Sequence, residues 1–159
     1  MTEAESPSAT ATVQINASSE AVYELVTDLP TLASIAEETV AMQWRKGDAA
    51  RPGAVFTGAN RNGGRRWSTT CTVTDAEPGR VFAFEVRSGV IPVARWQYDF
   101  VAVDGGCRVT ESTWDHRWRW IRRVTPLTTG VRDRTAANAE HIRLTLQRLK
   151  ERAEVGRSN

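Results

Sequence analysis

The stretch Ala94–Ser112 reads ARWQYDFVAVDGGCRVTES, and the way it pairs decides the fold. Trp96, Tyr98 and Phe100 alternate with Arg95, Gln97 and Asp99, the period-two pattern of a half-buried strand. Asp104-Gly105-Gly106 is a turn sequence, and a second run follows it. Two registers are open. A three-residue loop pairs Val103 with Cys107 and sets Glu111 opposite Asp99, like charges face to face, which is unfavourable. A four-residue loop pairs Ala102 with Cys107, Phe100 with Val109 and Tyr98 with Glu111. The second avoids the repulsion and turns a carboxylate inward beside a phenol on an aromatic face.

The same alternation extends towards the N-terminus. Val81–Arg87 sends Phe82, Phe84 and Val86 inward and Ala83, Glu85 and Arg87 outward. Glu77-Pro78-Gly79-Arg80 turns the chain before it, and Ser88–Val93 connects it to the next strand. Ala54–Arg61 and Arg66–Thr74 form a hairpin about Asn62-Gly63-Gly64-Arg65. Pairing Arg61 with Arg66 gathers Phe56, Asn60, Trp67, Cys71 and Val73 on one face and polar residues on the other, which fixes the register. Thr39–Arg45 is a further strand, Lys46–Gly53 a loop, and Ala9–Asn16 the opening strand. Ser18 or Ser19 caps a helix with the stripe Val22, Leu25, Val26, Leu29. Asp28 caps a second short helix with Pro30 in its first turn.

Towards the C-terminus, His116–Arg123 reads HRWRWIRR, and Leu127–Asp133 holds a candidate helix start. From about Thr135 to Glu154, Asn138, Ile142, Thr145, Leu146, Leu149 and Ala153 form the inward stripe of a long amphipathic helix. One terminal helix against one curved antiparallel sheet can enclose a cavity.

A chain of 159 residues is expected to be one domain, here residues 9–155 behind a loose acidic tail, residues 1–8. No apolar run approaches the ~20 residues that span a bilayer. The opening MTEAESPS lacks the basic start and apolar segment of a secretory signal, so cytoplasmic residence is the expectation. Cys71 and Cys107 have no CxxC partner and read as buried thiols, and His116 and His141 have no third ligand at metal spacing, so no metal site or cofactor is expected. Residues 1–44 carry seven acids and no base, whereas residues 117–159 carry eleven bases and four acids. That asymmetry fits either a basic face for an anionic partner or an acidic helical layer paired with a basic one inside the fold.

Several stretches together carry a resemblance: SSEAVYELVTDLPTLASI, GAVFTGANRNGGRRW followed by CTVTDAEPGRVFAFEV, the hairpin quoted above, and the terminal TLQRLKERAE. Over about residues 9–153 the chain resembles the START/Bet v 1-like (SRPBCC) superfamily, and within it the polyketide cyclase/dehydrase and lipid-transport branch. The resemblance implies an α+β helix-grip fold: a seven-stranded antiparallel sheet wrapped around a long C-terminal helix, with two short helices after the first strand. It implies binding or transport of a small hydrophobic, lipid- or polyketide-like molecule between sheet and helix. Polyketide aromatase/cyclase activity is the alternative. No shared catalytic motif is present, so no catalytic residue carries over.

The expected ligand-facing residues are Phe56, Asn60, Trp67, Phe84, Trp96, Tyr98, Phe100 and Glu111 from the sheet, with Asn138 and Ile142 from the helix. An aromatic concave surface with a few polar groups is what small-molecule pockets offer. A carboxylate facing an apolar interior is costly unless paired or protonated, so Glu111 either braces the sheet through Tyr98 or an ion pair with an arginine, contacts ligand, or transfers protons. Arg117–Arg123, arginine interleaved with tryptophan, suits weak contact with a membrane or protein surface, and the third reading is an interaction module of that kind. Nucleic acid is not expected as a partner, and the oligomeric state is not fixed by the sequence.

Overall fold

The computed structural model describes residues 5–117 and 134–155. The elements run β1 (Ala9–Ile15), α1 (Ser19–Thr27), α2 (Leu29–Ile35), β2 (Thr39–Lys46), β3 (Val55–Asn62), β4 (Arg65–Glu77), β5 (Val81–Ser88), β6 (Ile91–Val103), β7 (Gly106–Asp115) and α3 (Arg134–Val155). All seven strands form one antiparallel sheet in the order β1-β7-β6-β5-β4-β3-β2. Strands β2 to β7 are a continuous meander, and β1 alone pairs out of sequence order, beside β7. Helix α3 lies chiefly on β1 and also meets β7, α1 and α2. This is the α+β helix-grip architecture.

Local chemistry sets the helix boundaries. The Ser18 side chain accepts the Ala21 amide at 3.1 Å and caps α1. Asp28 ends α1 through its own backbone N–H, and its carboxylate accepts the Thr31 amide at 3.2 Å to begin α2. One residue therefore closes one helix, opens the next and makes the bend. Ile15, Val22, Val26, Leu32, Phe56, Phe82, Val109, Ile142 and Leu149 are fully enclosed in the core that α1, α2 and α3 share with the sheet.

The registers of both hairpins are as read, though in the last one Val103 also pairs with Gly106, so the turn is the two residues Asp104 and Gly105 rather than four. Phe100 pairs with Val109 and Tyr98 with Glu111, and Asn60 pairs with Trp67 beside Arg61 with Arg66. The β5–β6 connection is shorter than its sequence indicates. Gly89 and Pro92 mimic a loop, but Gly89 at φ +60° forms a tight turn with Val90, and Pro92 is absorbed at a register shift opposite Arg87. β4 likewise runs on to Glu77 past a shift at Val73/Asp75.

The expected loose tail is tied down from residue 5. The Trp114 indole donates to the Glu5 carbonyl at 2.8 Å, and the Ser8 amide donates to the Thr113 carbonyl at 2.8 Å. Part of the charge asymmetry is internal pairing: Arg148 of α3 holds Glu37 at 2.6 Å and the Ile35 carbonyl at 3.2 Å. No helix among the described residues is long and apolar enough to cross a membrane.

Candidate functional site

A cavity of about 560 Å³ lies between the concave face of the sheet, the α2–β2 connection and the N-terminal half of α3. That volume falls within the range of small-molecule sites. Strands β3 and β4 contribute Gly58, Asn60, Trp67, Thr69 and Cys71 to its wall, and β5 contributes Phe84 and Val86. Strand β6 adds Ile91, Val93, Ala94, Trp96 and Tyr98, and β7 adds Glu111 and Asp115. Leu32 faces it from α2, Glu37 and Glu38 from the α2–β2 connection, Met42 from β2, and Asn138, His141 and Thr145 from α3.

The polar groups of this wall differ in how they are satisfied. Asn60 accepts from the Thr39 hydroxyl at 3.0 Å and donates to Thr69 Oγ1 at 3.2 Å, so its amide clamps β2, β3 and β4 together. Arg117 Nε and Nη2 grip the two carboxylate oxygens of Asp115 at 2.9 and 2.6 Å, a bidentate pair with little exposure. His141 Nε2 stands 4.0 Å from Glu38 Oε1.

Glu111 is different. It is 2% exposed, its Oε1 accepts the Tyr98 hydroxyl at 2.7 Å, and its Oε2 has no hydrogen-bond partner among the described residues. Burial pushes its carboxyl up to about 8, and the Tyr98 hydrogen bond pulls weakly the other way. The Tyr98 phenol is pushed well above its ordinary value by burial and by the neighbouring carboxyl. Cys71 is an inert thiol, raised to about 12 by burial. Among the described residues no group of three His, Cys, Asp or Glu could hold a metal ion.

The model of the polyketide cyclase/dehydrase and lipid transport family matches residues 6–154. The chain belongs to that family. No curated protein matches it. Solved structures share the fold. A polyketide-cyclase-like protein of Corynebacterium glutamicum is 25% identical, with a TM-score of 0.63 over 92% of this chain and 91% of that one. A protein of Nitrosomonas europaea is 12% identical, with a TM-score of 0.68 over 94% and 96%. The di-domain aromatase/cyclase StfQ of the steffimycin biosynthetic pathway is 10% identical, with a TM-score of 0.72 over 94% of this chain and 51% of that one.

Within this family fold the expected ligand-facing residues divide. Asn60, Trp67, Phe84, Trp96, Tyr98, Glu111 and Asn138 line the cavity. Phe56, Phe100 and Ile142 do not: Phe56 packs edge-on between Trp44 and Phe84, Phe100 packs against Tyr23, and Ile142 is fully enclosed. They point to the correct face but lie where the helices close over it.

Arg117 also departs from expectation. It is 8% exposed, faces the cavity and pairs with Asp115, because the inward parity of β7 carries on through Asp115 as the strand ends. Residues 118–123 of the arginine/tryptophan segment, and the candidate helix start at 127–133, lie outside the described residues. Asp115, Arg117, Glu37 and Glu38 are among the polar wall residues that the sequence reading did not mark. Extending the alternation from Glu111 by two steps would have marked Asp115.

Proposed function

We propose that the protein binds or carries a small, mostly apolar molecule, lipid- or polyketide-like, in the cavity between sheet and α3. The observation that carries this is the cavity itself, an internal volume of about 560 Å³ walled by Trp67, Phe84 and Trp96 with a few polar groups among them. Burial of apolar ligand surface supplies most of the affinity, and Tyr98 and Glu111 orient the ligand. Membership of a family described by polyketide chemistry and lipid transport supports the same reading. Native mass spectrometry of gently purified protein, then denaturing extraction, is the test. A co-purifying apolar molecule, lost on Trp67→Ala, is the expected result. Wild-type protein that takes up no apolar molecule, even when lipids and aromatic ketones are supplied, would overturn it.

The second reading is an aromatase/cyclase. The buried acid in the cavity wall favours it, since a group titrating near neutrality can move protons in a folded poly-β-keto chain. An altered product profile when the protein is added to a polyketide synthase, reverting with Glu111→Leu, is its signature.

A further inference from the structure

The chemistry of Glu111 narrows the ligand class, an inference that rests on the cavity reading above. Glu111 lines the cavity, is 2% exposed and accepts a single hydrogen bond, from Tyr98. The other ionisable side chains of the wall, among the described residues, are Glu37 and Glu38 from the α2–β2 connection, Asp115 and Arg117 at the end of β7, His141 from α3 and Cys71 on β4. Arg117, the cation among them, is gripped by Asp115, and Glu37 by Arg148. Among the described residues no cation pairs with Glu111. An ionised carboxylate so placed is costly, and retaining a proton removes that cost. The upward push that burial exerts on this carboxyl acts in the same direction.

We propose that at neutral pH Glu111 is the uncharged acid, with Oε1 fixed as acceptor by Tyr98 and the Oε2 hydroxyl donating to the carbonyl oxygen of a flat, uncharged, mostly apolar ligand. In this state Oε2 is a buried donor with no acceptor among the described residues. A buried donor without a partner is penalised, so a ligand that brings an acceptor gains over one of equal shape that does not. One hydrogen bond of ordinary strength gives that ligand a fivefold to tenfold advantage, as an order-of-magnitude expectation. A ligand carboxylate gains nothing comparable, because it would bring an unpaired charge into the same dry region. As pH rises through the folded-state value the hydroxyl is lost, and with it the preference for a ketone.

Equilibrium dialysis with three naphthalenes of similar size tests this: 2-acetylnaphthalene, 2-ethylnaphthalene and 2-naphthoate, at pH 6.5 and pH 9.5. At pH 6.5 the ketone should bind wild-type protein about fivefold to tenfold more tightly than the hydrocarbon, with naphthoate weakest. At pH 9.5 the ketone's advantage should vanish. Glu111→Gln keeps a donor amide and the acceptor for Tyr98, so it should hold the advantage at both pH values. Glu111→Leu should lack it at both. If the hydrocarbon binds and the ketone has no advantage, or one indifferent to pH, the inference is overturned and the cavity reading stands. If neither neutral compound binds, the cavity reading falls and the inference falls with it.

Discussion

Replacing Glu111 by glutamine should stabilise the protein by an amount that grows with pH. The carboxyl titrates at about 8 when folded against 4.5 as its reference value. An acid with a raised value holds its proton more tightly in the folded state. Its favourable contribution is complete below the unfolded value and is lost as pH climbs towards the folded one. Each pH unit inside that window changes stability by about 1.4 kcal/mol. Between pH 5 and pH 8.5 the wild type should therefore lose about 4 kcal/mol relative to Glu111→Gln, which cannot ionise and keeps the shape and the Tyr98 hydrogen bond. Urea denaturation of both proteins across that range measures it. The difference between the two curves isolates Glu111, because every other group titrates alike in both. Parallel curves would mean that Glu111 ionises as freely folded as unfolded. That would refute the argument from burial, and with it the neutral acid in the cavity wall.

Two further substitutions probe what holds the site in place. Asp115→Ala removes the bidentate partner of the 8%-exposed Arg117, and breaking a buried ion pair from one side should cost about 3 kcal/mol in the same urea assay; a loss below about 0.5 kcal/mol would show the pair to be merely superficial. Gly106→Ala would drive a Cβ into the Ile15 carbonyl and the Asn16 backbone, neither of which is a flexible side chain that could give way, so hydrogen exchange across β1 should accelerate and stability fall by several kcal/mol; a variant with unchanged exchange in β1 would contradict that close approach.

The sheet was legible because two short-range rules acted together. Period-two alternation separated the faces, and like-charge avoidance chose between the two registers at Glu111 and Asp99. The helix pair was legible at Ser18 and Asp28 because capping is local chemistry. The β5–β6 turn was hidden because Gly89 and Pro92 are loop residues by composition, and only tertiary pairing turns the proline into a strand residue at a bulge. Arg117 was misplaced for a related reason. It opens the arginine and tryptophan run Arg117–Arg123, whose composition suggests a surface patch and hides the pairing with Asp115 two residues earlier.

Alternation tells which face a residue takes, but not how far along the face the core ends and the cavity begins. The structure draws that line across all five central strands. On β3 the wall reaches Gly58 and Phe56 is core; on β4 it reaches Cys71 and Val73 is core. On β5, β6 and β7 the last lining residues are Phe84, Tyr98 and Glu111, and Phe82, Phe100 and Val109 lie beyond them in the core. Side-chain volume accounts for much of the division. The inward positions on the cavity side include Gly58, Thr69, Cys71 and Ala94, which cannot fill the space between sheet and helix, while Phe56, Phe82 and Phe100 fill it on the other. Glu111 therefore stands in the floor of the cavity, at the last position before close packing begins. A carboxyl one inward step further along β7, in place of Val109, would be sealed in apolar core. One two inward steps the other way is Asp115, which has a cation. Only at the floor does a buried acid lack an ionic partner and still border a space that a ligand can occupy.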